Sequence, residues 1–147
     1  GRSPVRNFAV YTPPWACRQV LLCRLSAMTL RGIRGATCLT ADDADEMRAA
    51  VRELLAAMLD RNGLSTDDLI SLILTGTPDL VSAFPAVGAR DFGLVDVPLL
   101  CAQEMDVAGS LPRTVRVLIH ADCAVPRADI KHVYLRGAEV LRQDLAQ

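Results

Sequence analysis

Apolar residues recur at helical spacing through only one long segment of the chain. They stand at positions 44, 47, 51, 54, 55, 58 and 59 and predict one helix with a single buried stripe. Thr40 is its predicted N-cap, with Asp43 completing a capping-box-like pattern, and Arg61 and Gly63 fit its carboxyl end. The other apolar segments are short and β-rich. They predict strands at residues 29–38, 69–75, 97–102, 114–121 and 132–135, short helical turns near 65–68, 84–90 and 126, and a final strand or tail at 139–142.

These elements predict an α/β or α+β fold, in which a sheet of four or five strands packs against one long amphipathic helix. The 147 residues suit a single domain with a buried core. One helix cannot cover both faces of such a sheet. The uncovered face is therefore expected to pack against another copy of the chain, and we predict a homo-oligomer.

The composition is that of a globular protein without a membrane span or a nucleic-acid footprint. Hydrophobic residues make up 51% and charged residues 22%, and the formal net charge is −1. No apolar run approaches the roughly 20 residues of a membrane helix, and the basic excess of nucleic-acid-binding proteins is missing. The five cysteines form no CxxC pair, which predicts reduced thiols, a cytoplasmic location and no metal site.

Residues 1–27 differ from the rest of the chain in charge. They contain four arginines and no acidic residue, whereas a clean strand pattern begins directly after Met28. We expect Met28 to be the natural start and residues 1–27 to be an extension outside the fold. A targeting peptide is the alternative.

Polar groups crowd the end of the apolar run at residues 99–107. Gln103, Glu104 and Asp106 need partners there, because an unpaired charge out of water is costly. A polar ligand is one such partner, and a simple turn after a core strand is the other interpretation. Cys101 and Glu104 are three residues apart, so both can line one site only if the strand ends or bulges near residues 102–103.

Two arginines lie at positions suited to bind an anion. Arg34 alternates with Gly32 and Ala36 on one strand face, and these small neighbours leave room for a carboxylate on its guanidinium. Arg116 lies opposite the apolar face of its strand. The alternatives are an edge-strand salt bridge for Arg34 and a solvent or acid partner for Arg116.

His120, His132 and Tyr134 are weaker candidates. Both histidines are expected to be passive neighbours, and the tyrosine suits a core position as well as a ligand contact. The chain has no Ser-His-Asp set, P-loop, Gly-rich dinucleotide signature or metal-ligand cluster. Covalent and metal chemistry are therefore not expected, and no cofactor is predicted.

Six segments together resemble the AroH class of chorismate mutases, small trimeric enzymes that convert chorismate to prephenate. The segments are Arg31-Gly-Ile-Arg-Gly-Ala-Thr, Thr77-Pro-Asp-Leu, Phe84-Pro-Ala, Cys101-Ala-Gln-Glu-Met-Asp-Val, Arg116-Val and His132-Val-Tyr-Leu. They occur in the family's order and spacing over residues 28 to about 145. The resemblance implies that residues 28–147 form a chorismate mutase domain that acts in aromatic amino-acid biosynthesis.

The same resemblance implies a quaternary structure and a set of site residues. It implies a mixed sheet on one long helix, a homotrimer with a barrel-like core, and active sites in clefts between neighbours. The catalytic residues would be Arg116, Glu104 and Arg34. Substrate contacts would come from Cys101 and Tyr134, from the adjoining subunit's Phe84, Ala86 and Arg90, and from Leu141 and Arg142 of a mobile carboxyl-terminal tail. Val87 departs from the family pattern, which has a lysine there, so this position offers no charge for steering.

The implied reaction suits these residues. Chorismate rearranges in a concerted pericyclic step that needs no nucleophile, metal or proton transfer. The protein must hold the compact conformer and stabilise the charge that separates as the ether bond breaks. Arg116 is implied to donate to the ether oxygen, and Arg34 with Tyr134 to hold a carboxylate. Glu104 and Cys101 are implied to bind the ring hydroxyl.

Two other functions stay open at this point. Enamine/imine deaminases are trimeric α/β enzymes that also place a cleft arginine on a carboxylate, although their usual motifs are not visible in this chain. A non-catalytic trimer that senses an aromatic-pathway metabolite is the second alternative. The intact set of Arg34, Glu104 and Arg116 argues against it, and an assay for conversion of chorismate to prephenate separates all three.

Overall fold

The computed structural model describes the backbone of residues 29–145 and the side chains of residues 29–142. Residues 1–27, predicted to lie outside the fold, and Gln147 fall outside this described part. A five-stranded mixed sheet forms its centre. The strands are β1 (Thr29–Cys38), β2 (Leu69–Gly76), β3 (Leu99–Gln103), β4 (Thr114–Cys123) and β5 (Val133–Leu135).

The strands lie in the order β3-β2-β4-β1-β5. The central strand β4 pairs antiparallel with both β1 and β2, whereas the outer strands β3 and β5 run parallel to β2 and β1. The five predicted strands therefore form one sheet, and the predicted mixed α and β class is confirmed. This order brings Arg34 of β1, Arg116 of β4 and Thr75 of β2 onto neighbouring strands.

Two α-helices, α1 (Ala44–Asn62) and α2 (Pro85–Asp91), contribute to one core with the sheet. The buried stripe of α1 runs from Met47 to Asn62 and packs on strand side chains such as Ile33, Leu74 and Val117. Gly88 of α2 lies so close to α1 that a Cβ there would be 2.7 Å from the Cβ of Val51. The absence of a side chain at this position is what allows the two helices to approach each other.

The carboxyl end of α1 agrees with its prediction, and the amino end does not. Gly63 adopts a left-handed conformation at φ 63° and ends the helix. The predicted Thr40 cap is wrong, because Asp43 is the N-cap and accepts a hydrogen bond from the backbone N–H of Glu46 at 2.8 Å. The Glu46 carboxylate accepts from the Thr40 N–H at 2.7 Å and holds that residue in the loop before the helix.

The carboxyl-terminal segment is the other difference from prediction. Of the strand or tail expected at 139–142, no strand forms, since Ala138–Leu145 consists of 3₁₀ turns that are broken at Arg142. Arg136 and Gly137 precede it with positive φ angles of 53° and 91°, which turn the chain out of the direction of β5. None of the helices in residues 29–145 is long and apolar enough to cross a membrane.

Candidate active site

A cavity of about 360 Å³ lies on the sheet face opposite the helices. Strand alternation creates this face, because Arg34 is exposed next to buried Ile33, and Arg116 is exposed between buried Val115 and Val117. The predicted facing of both arginines is thus confirmed. The cavity brings together six of the predicted site residues, Arg34, Glu104, Arg116, Tyr134, Leu141 and Arg142.

Glu104 and Arg116 form the charged pair of this cavity. The Arg116 Nε lies 3.5 Å from the Glu104 Oε1, and about half of the arginine side chain stays exposed. Thr75 donates its hydroxyl to the same carboxylate oxygen at 2.6 Å and orients it. Thr75 was not singled out from the sequence, although it is one of only two polar side chains in this strand, with Ser71, and that was an available signal.

The end of β3 explains how Glu104 reaches the cavity. The strand stops at Gln103, and the backbone N–H of Glu104 donates to the Gly76 carbonyl at 2.9 Å. The carboxylate therefore turns toward β4. Cys101 lies within the regular strand and does not line the same cavity in its own chain.

Arg34 is held in place by its backbone. Its N–H donates to the Nδ1 of His132 at 3.1 Å, which places the proton of the neutral imidazole on Nε2. Burial lowers the pKa of His132, and the nearby positive charges of Arg34 and Arg142 lower it further. Sequence reasoning treated His132 as a passive neighbour, whereas the structure gives it a direct contact with a site residue.

The remaining predicted site residues lie elsewhere in the chain. Phe84 and Cys101 line a second cavity of about 230 Å³ at the ends of β2 and β3. Ala86 is buried within α2, and Arg90 is exposed at the end of that helix. One chain by itself therefore does not bring these four residues to the Arg116 cavity.

The carboxyl-terminal segment forms part of the first cavity. Leu141 and Arg142 line it together with Ala36 of β1, and Ala36 is almost fully buried. His120 is absent from this lining, because its Nδ1 lies 3.0 Å from the Ser71 hydroxyl further along the sheet. Asp106 is exposed beyond the end of β3. The cavity thus has two arginines and one carboxylate from the sheet, and a segment after β5 that covers part of it.

Comparisons with known proteins agree with one another. The family model described as chorismate mutase type I matches residues 30–145. Chorismate mutase AroH of Thermus thermophilus is 49% identical over 117 residues, covering 79% of this chain and 96% of that protein. Chorismate mutase AroH of Bacillus subtilis (strain 168) is 40% identical over 120 residues, covering 81% and 94%. A solved chorismate mutase from Clostridium thermocellum is similar with a TM-score of 0.73 and 47% identity, covering 75% of this chain and 98% of that one.

Proposed function

Because this chain belongs to the chorismate mutase type I family and is a chorismate mutase, an isomerase of aromatic biosynthesis, we propose that chorismate rearranges to prephenate in the 360 Å³ cavity. One observation supports this site above others. Arg34, Glu104 and Arg116 come from three separate parts of the sequence and meet around a single space of ligand size.

Arg116 is proposed to stabilise the charge that develops during the reaction. As the ether C–O bond breaks, negative charge grows on the ether oxygen. A guanidinium has five N–H donors, so its contact with Glu104 leaves others for the substrate. A donor fixed before the reaction starts acts without reorganisation, and such groups contribute on the order of 10²–10³ in rate.

Glu104 is proposed to accept a hydrogen bond from the ring hydroxyl and to lie beside the part of the substrate that becomes positive. Its carboxylate is held by the Thr75 hydroxyl at 2.6 Å, and its side chain is only 21% exposed. A fixed, shielded carboxylate interacts more strongly with developing positive charge than one in water. Cys101 lines the separate cavity with Phe84 in its own chain, and it is proposed to assist at the same hydroxyl from a neighbouring subunit.

Arg34 and Tyr134 are proposed to bind a substrate carboxylate. Both line the cavity from adjacent strands, and the described residues place no carboxylate within salt-bridge distance of Arg34. Leu141 and Arg142 are proposed to close over the bound molecule. Together these contacts hold the compact, reactive conformer, which removes part of the ordering cost from the barrier.

The working form is proposed to be a homotrimer with a barrel-like core and active sites between neighbours. The cavity opens on the sheet face that the helices leave uncovered. Phe84 is 70% exposed and lines a separate cavity together with Cys101. Arg90 lies at the carboxyl end of α2, away from the Arg116 cavity. A neighbouring subunit that presents Phe84, Ala86 and Arg90 to this cavity would complete the substrate contacts.

Residues 28–147 are proposed to be the catalytic domain, with residues 1–27 as an extension and the cytoplasm as its location. The family model matches residues 30–145, which supports this boundary. The proposed reaction uses no cofactor.

The test of this site compares two variants of the full chain. Glu104→Ala should lower the rate of prephenate formation by about 10²–10³, because it removes the fixed carboxylate. His120→Ala should keep close to the wild-type rate, because His120 contacts Ser71 outside the cavity. Chorismate loss and prephenate appearance are followed together. A severe His120→Ala defect, or an active Glu104→Ala enzyme, would place the chemistry elsewhere.

A further inference from the structure

A third cavity, of about 560 Å³, adjoins the proposed active site, and half of the residues that line it are cations. Its basic residues are Arg34, Arg61, Arg127, Lys131 and Arg142, and among the side chains that the structure describes Glu139 is the only carboxylate in the lining. We name this space the cationic cleft. It holds five positive charges, whereas the formal net charge of the whole chain is −1. Positive charge is therefore concentrated in this cleft.

Three of the charges in the cationic cleft, those of Arg61, Arg127 and Lys131, have no acidic partner within salt-bridge distance among the described residues. His132 also lines the cleft. Burial lowers the pKa of its imidazole, and the positive charges of Arg34 and Arg142 lower it further. A cleft lined by one sign of charge attracts ions of the other sign.

Hydrogen bonds fix the loop that carries Arg127 and Lys131, which line the cleft. The buried Asn62 amide donates to the Lys131 carbonyl at 2.8 Å and accepts from the Lys131 N–H at 2.8 Å. This pair fastens the loop that carries Arg127 and Lys131 to the end of α1, where Arg61 lies. The Arg34 N–H to His132 hydrogen bond attaches the other side of the same loop to β1.

The cleft and the proposed active site have a common wall. Arg34, Tyr134 and Arg142 line both spaces. An anion in the cleft therefore needs no route across uncharged surface to reach the catalytic cavity. Chorismate and prephenate each carry two carboxylates, which are groups that arginine and lysine bind.

From this arrangement we propose that the cationic cleft captures the dicarboxylate substrate and passes it over Arg34 and Arg142 into the catalytic cavity. The inference rests on the proposed function. Arg127 and Lys131 act in capture and have no contact with the reacting atoms.

The experiment uses the double variant Arg127→Ala/Lys131→Ala of the full chain. Its control is Arg48→Ala/Arg52→Ala, which removes the same charge from α1 at positions that line neither cavity. Initial rates are measured at low salt and at about 0.5 M NaCl, where charges a few ångströms apart are screened. For the cleft variant we expect kcat/KM to fall about three- to tenfold at low salt, with kcat nearly unchanged and the difference lost at high salt.

Inorganic sulfate serves as a direct probe of the cleft. It should compete with substrate in the wild type, and more weakly in the cleft variant than in the control. Equal kcat/KM and equal sulfate inhibition in the two variants would overturn the proposal, as would a fall in kcat as large as that in kcat/KM. The single variant Arg127→Lys keeps the positive charge and should therefore keep the wild-type kcat/KM, which separates the effect of charge from that of misfolding. Failure of the proposed function would look different, because the wild type itself would not form prephenate.

Discussion

The role proposed for Arg116 differs from that of a residue that only binds substrate, because the charge it would meet is present chiefly in the transition state. Arg116→Ala should lower kcat by about 10²–10³ while KM changes little. Arg116→Lys keeps the charge but loses the planar fork of donors, so it should recover only part of the rate. Steady-state kinetics on all three proteins checks this. A normal kcat with a raised KM would contradict the role.

His132 links the position of Arg34 to pH. Its pKa lies below the ordinary value because of burial and then the charges of Arg34 and Arg142. The unfolded chain therefore takes up a proton at higher pH than the folded chain does. The contribution of His132 to the free energy of unfolding should be fully present above the ordinary histidine pKa of about 6.5. It should be lost as the pH falls from that value through the lower pKa of the folded state. Protonation also removes the acceptor of the Arg34 N–H.

The matched variant for this prediction is His132→Asn, whose Oδ1 can accept the same hydrogen bond without titrating in this range. Urea denaturation between about pH 5 and pH 8 should show a steeper loss of stability for the wild type than for this variant. His132→Ala should be less stable than both near neutral pH. Identical pH dependence in wild type and His132→Asn would assign the loss to other groups.

At the residue scale, alternation along single strands predicts the facing of Arg34 and Arg116 correctly. The contacts of Thr75 and His132 could not be predicted in this way. Thr75 contacts Glu104, 29 positions away, and His132 contacts Arg34, 98 positions away. Those contacts depend on β2 lying beside β3 and on β5 lying beside β1. No local pattern encodes that order, so the sequence indicated the candidate cations and carboxylate but not the side chains that orient them.

At the element scale, the periodic stripe predicts α1 because burial of one face repeats over nineteen residues. Its amino end is harder to predict, since Thr40, Asp42 and Asp43 are all plausible caps by residue type. The choice is made by tertiary contacts. Asp42 accepts from the N–H groups of Val81 and Ser82 at 3.1 and 3.0 Å, and Glu46 holds Thr40, which leaves Asp43 as the cap.

The carboxyl end of α1 carries a contact that joins this helix to the loop before β5. Asn62 is 6% exposed, and its amide makes two hydrogen bonds to the Lys131 backbone and one to the Met58 carbonyl. Asn62→Ala should lower the free energy of unfolding by roughly 2–4 kcal/mol, because it leaves the Lys131 N–H and carbonyl without partners. Urea unfolding with Arg61→Ala as the exposed neighbour control measures this. A change below about 0.5 kcal/mol, the usual range for surface substitutions, would mean that water replaces the amide.

At the scale of the whole molecule, the helices of the described residues cover one sheet face, and the cavity that contains Arg116 lies on the other. Large apolar side chains are exposed around the second cavity and the end of β3, namely Val81, Phe84, Leu100 and Met105. Exposed apolar clusters of this kind mark interfaces between subunits. In a ring of three copies, each subunit would offer its Phe84 side to the Arg116 cavity of the next, a heterologous contact that closes on itself.

Mixed oligomers test this arrangement through activity. Arg116→Ala and Arg90→Ala chains, each inactive or weak alone, are co-expressed with different tags, and the mixed oligomers are purified on both tags. If every site takes Arg116 from one chain and Arg90 from its neighbour, each mixed trimer has both arginines at one of its three sites, so about a third of wild-type activity should return. If both arginines served a site within one chain, no mixed site would be intact and activity would stay at the level of the separate variants. Light scattering on the same samples should give the mass of three chains.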